Sequence, residues 1–244
     1  MDNPPIAIVA GVGPERGLGS VLAKQFAVKG LDVFVSGRTA AKLDEVVRQI
    51  RNQGGSAIPV VADVTIKGEV ARLFDLVRSR GSSLEVAAYN VGSNVAAPFL
   101  DTEMETFTAL WQQNCLGAFL FAKETIDIMR LQGKGTVFFT GATASLRAKP
   151  PFTAFASAKA GLRSLAQGLA REFGPQGIHV VHAVIDGVID GDYARKQFPE
   201  YVETKGEDGM LEPEAIARTY WAIHKQHPSA WTHELDLRPF KESF

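Results

Sequence analysis

The sequence predicts an α/β chain: a single-domain, doubly wound parallel sheet with helices on both faces. Short apolar runs rich in β-branched residues alternate with longer amphipathic segments, and runs without polar interruption suit strands covered on both faces. The repeated order strand, helix, strand implies parallel neighbours joined by right-handed crossovers. Gly30, Gly54-Gly55, Gly81, Gly133 and Gly174-Pro175 stand where the helices should stop, as glycine at a helix end does.

Strands are expected at 6–10, 32–36, 57–61, 86–89, 136–140 and 179–184, and helices at 18–29, 40–53, 67–80, 103–131 and 152–173. Beyond Asp186 the chain turns polar and mixed, then offers a helix from 213 to about 226 and a last strand near 230–235. The polar stretch, about 186–211, reads as a substrate lid, because ligands in open α/β sheets bind beyond the carboxyl ends of the strands. Its other reading is a surface loop with one short helix. One domain over 1–244 accommodates all of this.

Charge nearly balances, with 26 basic and 27 acidic residues, which argues against nucleic acid or an anionic membrane as partner. Small molecules are the expected ligands. A lone Cys115 excludes an intrachain disulfide and suits a cytoplasmic protein. No run approaches the roughly 20 apolar residues a span needs, and the start of the sequence does not read as a signal peptide. The five histidines (179, 182, 224, 227 and 233) lack metal-ligand spacing, so no metal is expected.

Directly after the first strand comes Gly11-Val12-Gly13-Pro14-Glu15-Arg16-Gly17-Leu18-Gly19, then an amphipathic helix. Glycines there allow a tight turn, let backbone approach a pyrophosphate, and aim free amides at it. In that context the pattern reads as a Rossmann-type dinucleotide turn. The second strand ends Ser36-Gly37-Arg38, where an NAD-preferring domain offers a carboxylate to the ribose. Arg38, with Arg16, instead suits a charge-assisted clamp on a 2′-phosphate. NADP is therefore expected over NAD, with a solvated surface charge as the other reading of either arginine.

These motifs together resemble the short-chain dehydrogenase/reductase family. Gly13 to Gly19 matches its G-x-x-x-G-x-G turn, and the longer spacing from Gly11 to Gly17 looks like the variant in bacterial enoyl reductases. Asp63-Val64 matches the pair beside the adenine, Asn90-Val91-Gly92 the N-A-G segment, and Asn114 the active-site asparagine. The resemblance implies that Lys159 of Phe155-Ala156-Ser157-Ala158-Lys159 holds the nicotinamide ribose. It also expects a proton-exchanging tyrosine and a serine thirteen residues before it, where Phe155 and Ala142 stand. At the enoyl-reductase spacing the tyrosine falls at Phe152.

Phenylalanine cannot donate a proton. Of the nearby hydroxyls at Thr143, Ser145, Thr153 and Ser157, Thr143 adjoins the serine position; its other reading is a turn residue. A water held by Asn114 and Lys159 is a second proton source, Asn114 otherwise being a helix polar group that bonds backbone. Asp186-Gly187-Val188-Ile189-Asp190 takes the place of the family's P-G-x-x-x-T turn, so the resemblance assigns the backbone of Val188 and Ile189 to the carboxamide, with Asp186 and Asp190 as candidate acids. The segments 139–159 and 235–240 look like a less-studied group of such proteins.

Two functions follow from these residues. One is an NADP(H)-dependent oxidoreductase of a small carbonyl, alcohol or activated alkene; the other is an NADP(H)-binding protein without turnover, structural or redox-sensing. A non-redox lyase or isomerase in the same pocket is a third. The family's habit of pairing the two long helices implies a homodimer or homotetramer.

Overall fold

The computed structural model describes residues 3–242. Strands β1 (Ile6–Ala10), β2 (Asp32–Gly37), β3 (Ser56–Val61), β4 (Leu84–Tyr89), β5 (Gly135–Thr140), β6 (Ile178–Ile185) and β7 (Glu234–Leu237) form one sheet in the order β3-β2-β1-β4-β5-β6-β7. All neighbours pair in parallel. The order reverses between β1 and β4, the place where a crevice opens at the carboxyl ends of such sheets.

Strand pleating divides the core into two layers. Ala7 and Val9 of β1 face α1 (Leu18–Val28), α2 (Ala40–Asn52) and α9 (Pro213–His224), whereas Ile6, Ile8 and Ala10 face α3 (Lys67–Ser79), α5 (Gly117–Gln132) and α6 (Thr153–Phe173). Every residue of β1 and β6 is buried, which is why their apolar runs do not alternate. Edge strand β3 does alternate, with Ser56, Pro59 and Val61 exposed.

Two expectations are corrected. The single helix at 103–131 is α4 (Met104–Trp111) and α5 joined by a π-helical turn, Gln112–Leu116. Backbone angles stay helical through the join, with Gln112 at φ −58, ψ −47, so the apolar period reads straight across it. Only the hydrogen-bond span widens. The last strand starts at Glu234, because Pro228–Ala230 is a 3-10 turn. As expected, α6 stops at Phe173 with Gly174 as its cap, and a 3-10 turn, Gly174–Gln176, leads on to the left-handed Gly177 (φ 86). Residues 186–211 carry two short helices, α7 (Asp192–Gln197) and α8 (Pro199–Lys205), closed by a bridge between Ile189 and Leu211. Among the described residues, no helix is long and apolar enough to cross a membrane.

Candidate active site

The glycine-rich turn is set by close backbone approaches. Gly11 has φ +90, and a Cβ on it would lie 2.6 Å from the Asn90 carbonyl oxygen; its amide and that of Val12 both donate to the Ser36 carbonyl at 2.9 Å. A Cβ on Gly19 would sit 2.9 Å from the Gly11 carbonyl carbon, while Gly13 has nothing within 4 Å. Gly17 caps α1 with its backbone only, and no carboxylate stands in the first turn of that helix. The buried Leu18 and Gly19 follow it. A cradle of backbone results, with the helix amides aimed at it.

On the β2 side Arg38 is 68% exposed and faces Asp63 at 4.0 Å. Asp63 accepts from the Thr65 amide and hydroxyl, at 2.9 and 2.7 Å. Val64 packs its side chain into the core, leaving only its backbone to a ligand. Arg16 does not join Arg38: its amide donates to the Asp192 carboxylate at 2.9 Å and its guanidinium lies 3.6 Å from Asp190. The two arginines expected to act together thus face different carboxylates, Arg38 that of Asp63 and Arg16 those of Asp190 and Asp192.

At the ends of β4 and β5 three residues converge. Asn114, fully buried, donates to the Leu110 carbonyl at 2.9 Å and the Ser93 carbonyl at 3.1 Å, while its Oδ1 has no partner among the described residues. The π turn is what turns it inward, and the Tyr89 hydroxyl donates to the Gln113 carbonyl of that turn at 2.6 Å. Lys159 is buried and donates to the Thr140 carbonyl at 2.8 Å; burial pushes its ammonium down to about 8. A Cβ on Gly92 would lie 2.6 Å from Asn114 Oδ1 and 3.2 Å from Lys159 Nζ. Asn114 thus bonds backbone through its nitrogen, the helix-polar-group reading, while its oxygen lies on the Gly92 side, as Lys159 Nζ does. Asn90 lies beside the turn, its side chain 3.5 Å from the Gly11 carbonyl.

Phe155 places its ring 5.9 Å from Lys159 Nζ. Of the hydroxyls, Ser145 accepts from the Ala142 amide at 3.1 Å and Ser157 donates to the Ala154 carbonyl at 2.8 Å. Thr153 is exposed. Thr143 donates to Asp186. The buried phenols are engaged too: Tyr220 bonds Thr140 Oγ1 at 3.0 Å, and burial pushes both Tyr89 and Tyr220 above the usual range.

Two clusters escape sequence reasoning. Asp186, 5% exposed, accepts from Thr143 and pairs with Arg238 at 2.8 Å and Arg147 at 3.4 Å. The C-terminal segment 235–240 supplies Arg238, and Pro239 packs where a Cβ on Gly187 would meet it at 2.8 Å. Behind Lys159, Arg163 holds Glu234 at 2.7 Å, which accepts from His182 Nδ1 at 2.9 Å. The Arg163 hydrogen bond holds Glu234 down to about 2, and burial pushes His182 down to about 4. A histidine on a strand buried on both faces needs such a partner, and that was the available signal. Val188 and Ile189 spend their carbonyls on Leu211 and Gly191, at 2.9 and 2.8 Å, so amides are what they offer.

The short chain dehydrogenase profile matches residues 6–201. A short-chain dehydrogenase/reductase of Armillaria gallica is 33% identical over 178 residues, 72% of this chain and 67% of that protein. A short-chain dehydrogenase structure from Rhodopseudomonas palustris is 35% identical with a TM-score of 0.83, covering 98% of this chain and 100% of that one. A metagenomic short-chain oxidoreductase in complex with NADP shares the fold at 20% identity and a TM-score of 0.81, covering 98% of each chain. With the profile spanning most of the sequence and the sheet order, turn and lysine in place, the chain belongs to the short-chain dehydrogenase family and is an oxidoreductase of that type.

Proposed function

We propose that the chain is an NADP(H)-dependent oxidoreductase of a small carbonyl, alcohol or activated alkene. The observation that carries this reading is the convergence on Gly92 of Lys159 Nζ and Asn114 Oδ1, the latter without a partner among the described residues. The residues present fit a dinucleotide. Open space over Gly13 and the uncapped start of α1 suit the diphosphate, with Gly11, Gly17, Leu18 and Gly19 shaping that cradle. Asp63, the Val64 backbone and Asn90 border the adenosine half, Arg38 serves the 2′-phosphate, and the amides of Val188 and Ile189 serve the carboxamide. Bound there, the nicotinamide supplies or takes up a hydride.

The proton comes from this chain. Lys159, held near 8 by burial, releases a proton more readily than an ordinary lysine. Asn114 Oδ1 orients a water that carries it to the substrate, and lysine recovers a proton from solvent. Reduction of a carbonyl then balances: hydride to carbon, proton to oxygen. Thr143 is a poor donor here because its hydroxyl proton is directed at Asp186.

A second reading, an NADP(H)-binding chain without turnover, is favoured by the apolar Phe155 and Ala142. NADPH oxidation against a carbonyl and enone panel, with Phe155→Tyr in parallel, separates the two. Turnover by the natural chain supports the oxidoreductase. If both proteins bind NADPH and neither consumes it, the oxidoreductase reading fails.

A further inference from the structure

The lid begins by lying on the glycine-rich turn. Arg16 donates its amide to Asp192 at 2.9 Å and sets its guanidinium 3.6 Å from Asp190, and Arg195 grips Asp190 with two bonds of 2.6 Å. Gly191 lies between the two carboxylates, so close that a Cβ on it would stand 2.7 Å from the Arg16 carbonyl oxygen and 3.9 Å from the Gly17 Cα. The Arg16–Asp192 bond joins residues 176 apart in sequence. Two cations and two anions make the cluster neutral, so it adds no net repulsion toward a diphosphate. The lid therefore bridges to the very turn whose amides are aimed at that group.

We propose that Asp190, Gly191 and Asp192 form a clasp with Arg16 that closes over the dinucleotide groove and sets the residence time of the cofactor. The proposal rests on the dinucleotide reading of the turn. It makes Asp192 and Asp190 positioning residues: they hold the lid against the turn without touching reacting atoms. It also assigns Arg16 to the lid, leaving coenzyme choice to Arg38. Because the clasp must open for the dinucleotide to leave, its loss acts on dissociation more than on association.

The test is NADPH dissociation followed by its fluorescence in stopped flow, for the natural chain, Asp192→Ala, Asp192→Asn and Gly191→Ala. Loss of a charge-assisted bond should speed dissociation about tenfold in Asp192→Ala. Asp192→Asn keeps an acceptor oxygen for the Arg16 amide and should restore slow release. Gly191→Ala, whose Cβ pushes the lid from the turn, should behave like Asp192→Ala. The ratio of NADPH to NADH affinity should stay unchanged in all three, since Arg38 is untouched, and an unchanged denaturant midpoint separates faster release from a loss of folding. Rates equal to the natural chain in both Asp192→Ala and Gly191→Ala, with NADPH still bound, overturn the clasp alone. A natural chain that binds no NADPH overturns the clasp and the proposed function together.

Discussion

The glycine-rich turn and the Asp186 cluster lie at the carboxyl ends of the same sheet but are built in opposite ways. The turn is made by backbone: Gly11 against Asn90, Gly19 against Gly11, and Gly17 capping α1 without a side chain. The cluster is made by side chains from three separated segments, Thr143 and Arg147 after β5, Asp186 after β6 and Arg238 after β7. A backbone cradle accepts a phosphate that many proteins share, whereas side chains gathered from distant segments shape a site for one chain's own substrate. The comparison therefore separates the turn proposed to bind the dinucleotide from a side-chain cluster of this chain's own, and each can be broken alone.

The largest effect is expected at Asp186. Asp186→Ala removes the buried carboxylate between Arg238, Arg147 and Thr143. Breaking a buried pair by deleting one partner costs about 3 kcal/mol at the lower end of the usual range; the exposure of Arg147 argues for that lower end. Denaturant unfolding should show the loss, while NADPH affinity in the folded protein stays within about threefold, since the turn is built elsewhere. A tenfold loss of NADPH binding would mean the two halves are one unit.

This contrast also explains what the sequence made legible. The alternation of strands and helices, the turn and Lys159 follow from local signals: apolar period, glycine spacing and the resemblance they carry. Asn114 was found, but not the π turn that points it inward, because helical angles persist through Gln112 and Gly117. Arg238 carries no local signal, since pairing it with Asp186 requires β7 to lie beside β6. Arg16 and Arg38 share a sequence logic, yet tertiary contact sets Arg16 against Asp190 and Asp192. Long-range ion pairs leave no period to read.

A smaller effect is expected at Arg38, and it sharpens the cofactor half. Its side chain is 68% exposed and weakly held by Asp63 at 4.0 Å, so it is free to turn toward a phosphate. Arg38→Ala should lower NADPH affinity about tenfold and leave NADH unchanged, the lower end for a charge-assisted bond in an exposed place. Calorimetric titration with both cofactors reads the ratio. An unchanged ratio sinks the phosphate role of Arg38.

The last effect is expected at Lys159, and near pH 8 it is only a halving of rate. Its ammonium sits at about 8 in the fold against 10.5 for an ordinary lysine, so the protonated form is lost as pH rises through about 8. Carbonyl reduction should fall to about half near that pH and by about tenfold per further unit, while alcohol oxidation gains. The sign for stability is opposite. Between about 8 and 10.5 the unfolded chain holds the proton that the folded lysine has released, so this group's contribution to stability rises with pH across that window. A rate that falls over the same interval therefore cannot be laid to unfolding driven by Lys159. Reduction that stays flat from pH 7 to pH 9.5 would remove lysine as the proton source and return that role to a group outside the Asn114–Lys159 pair.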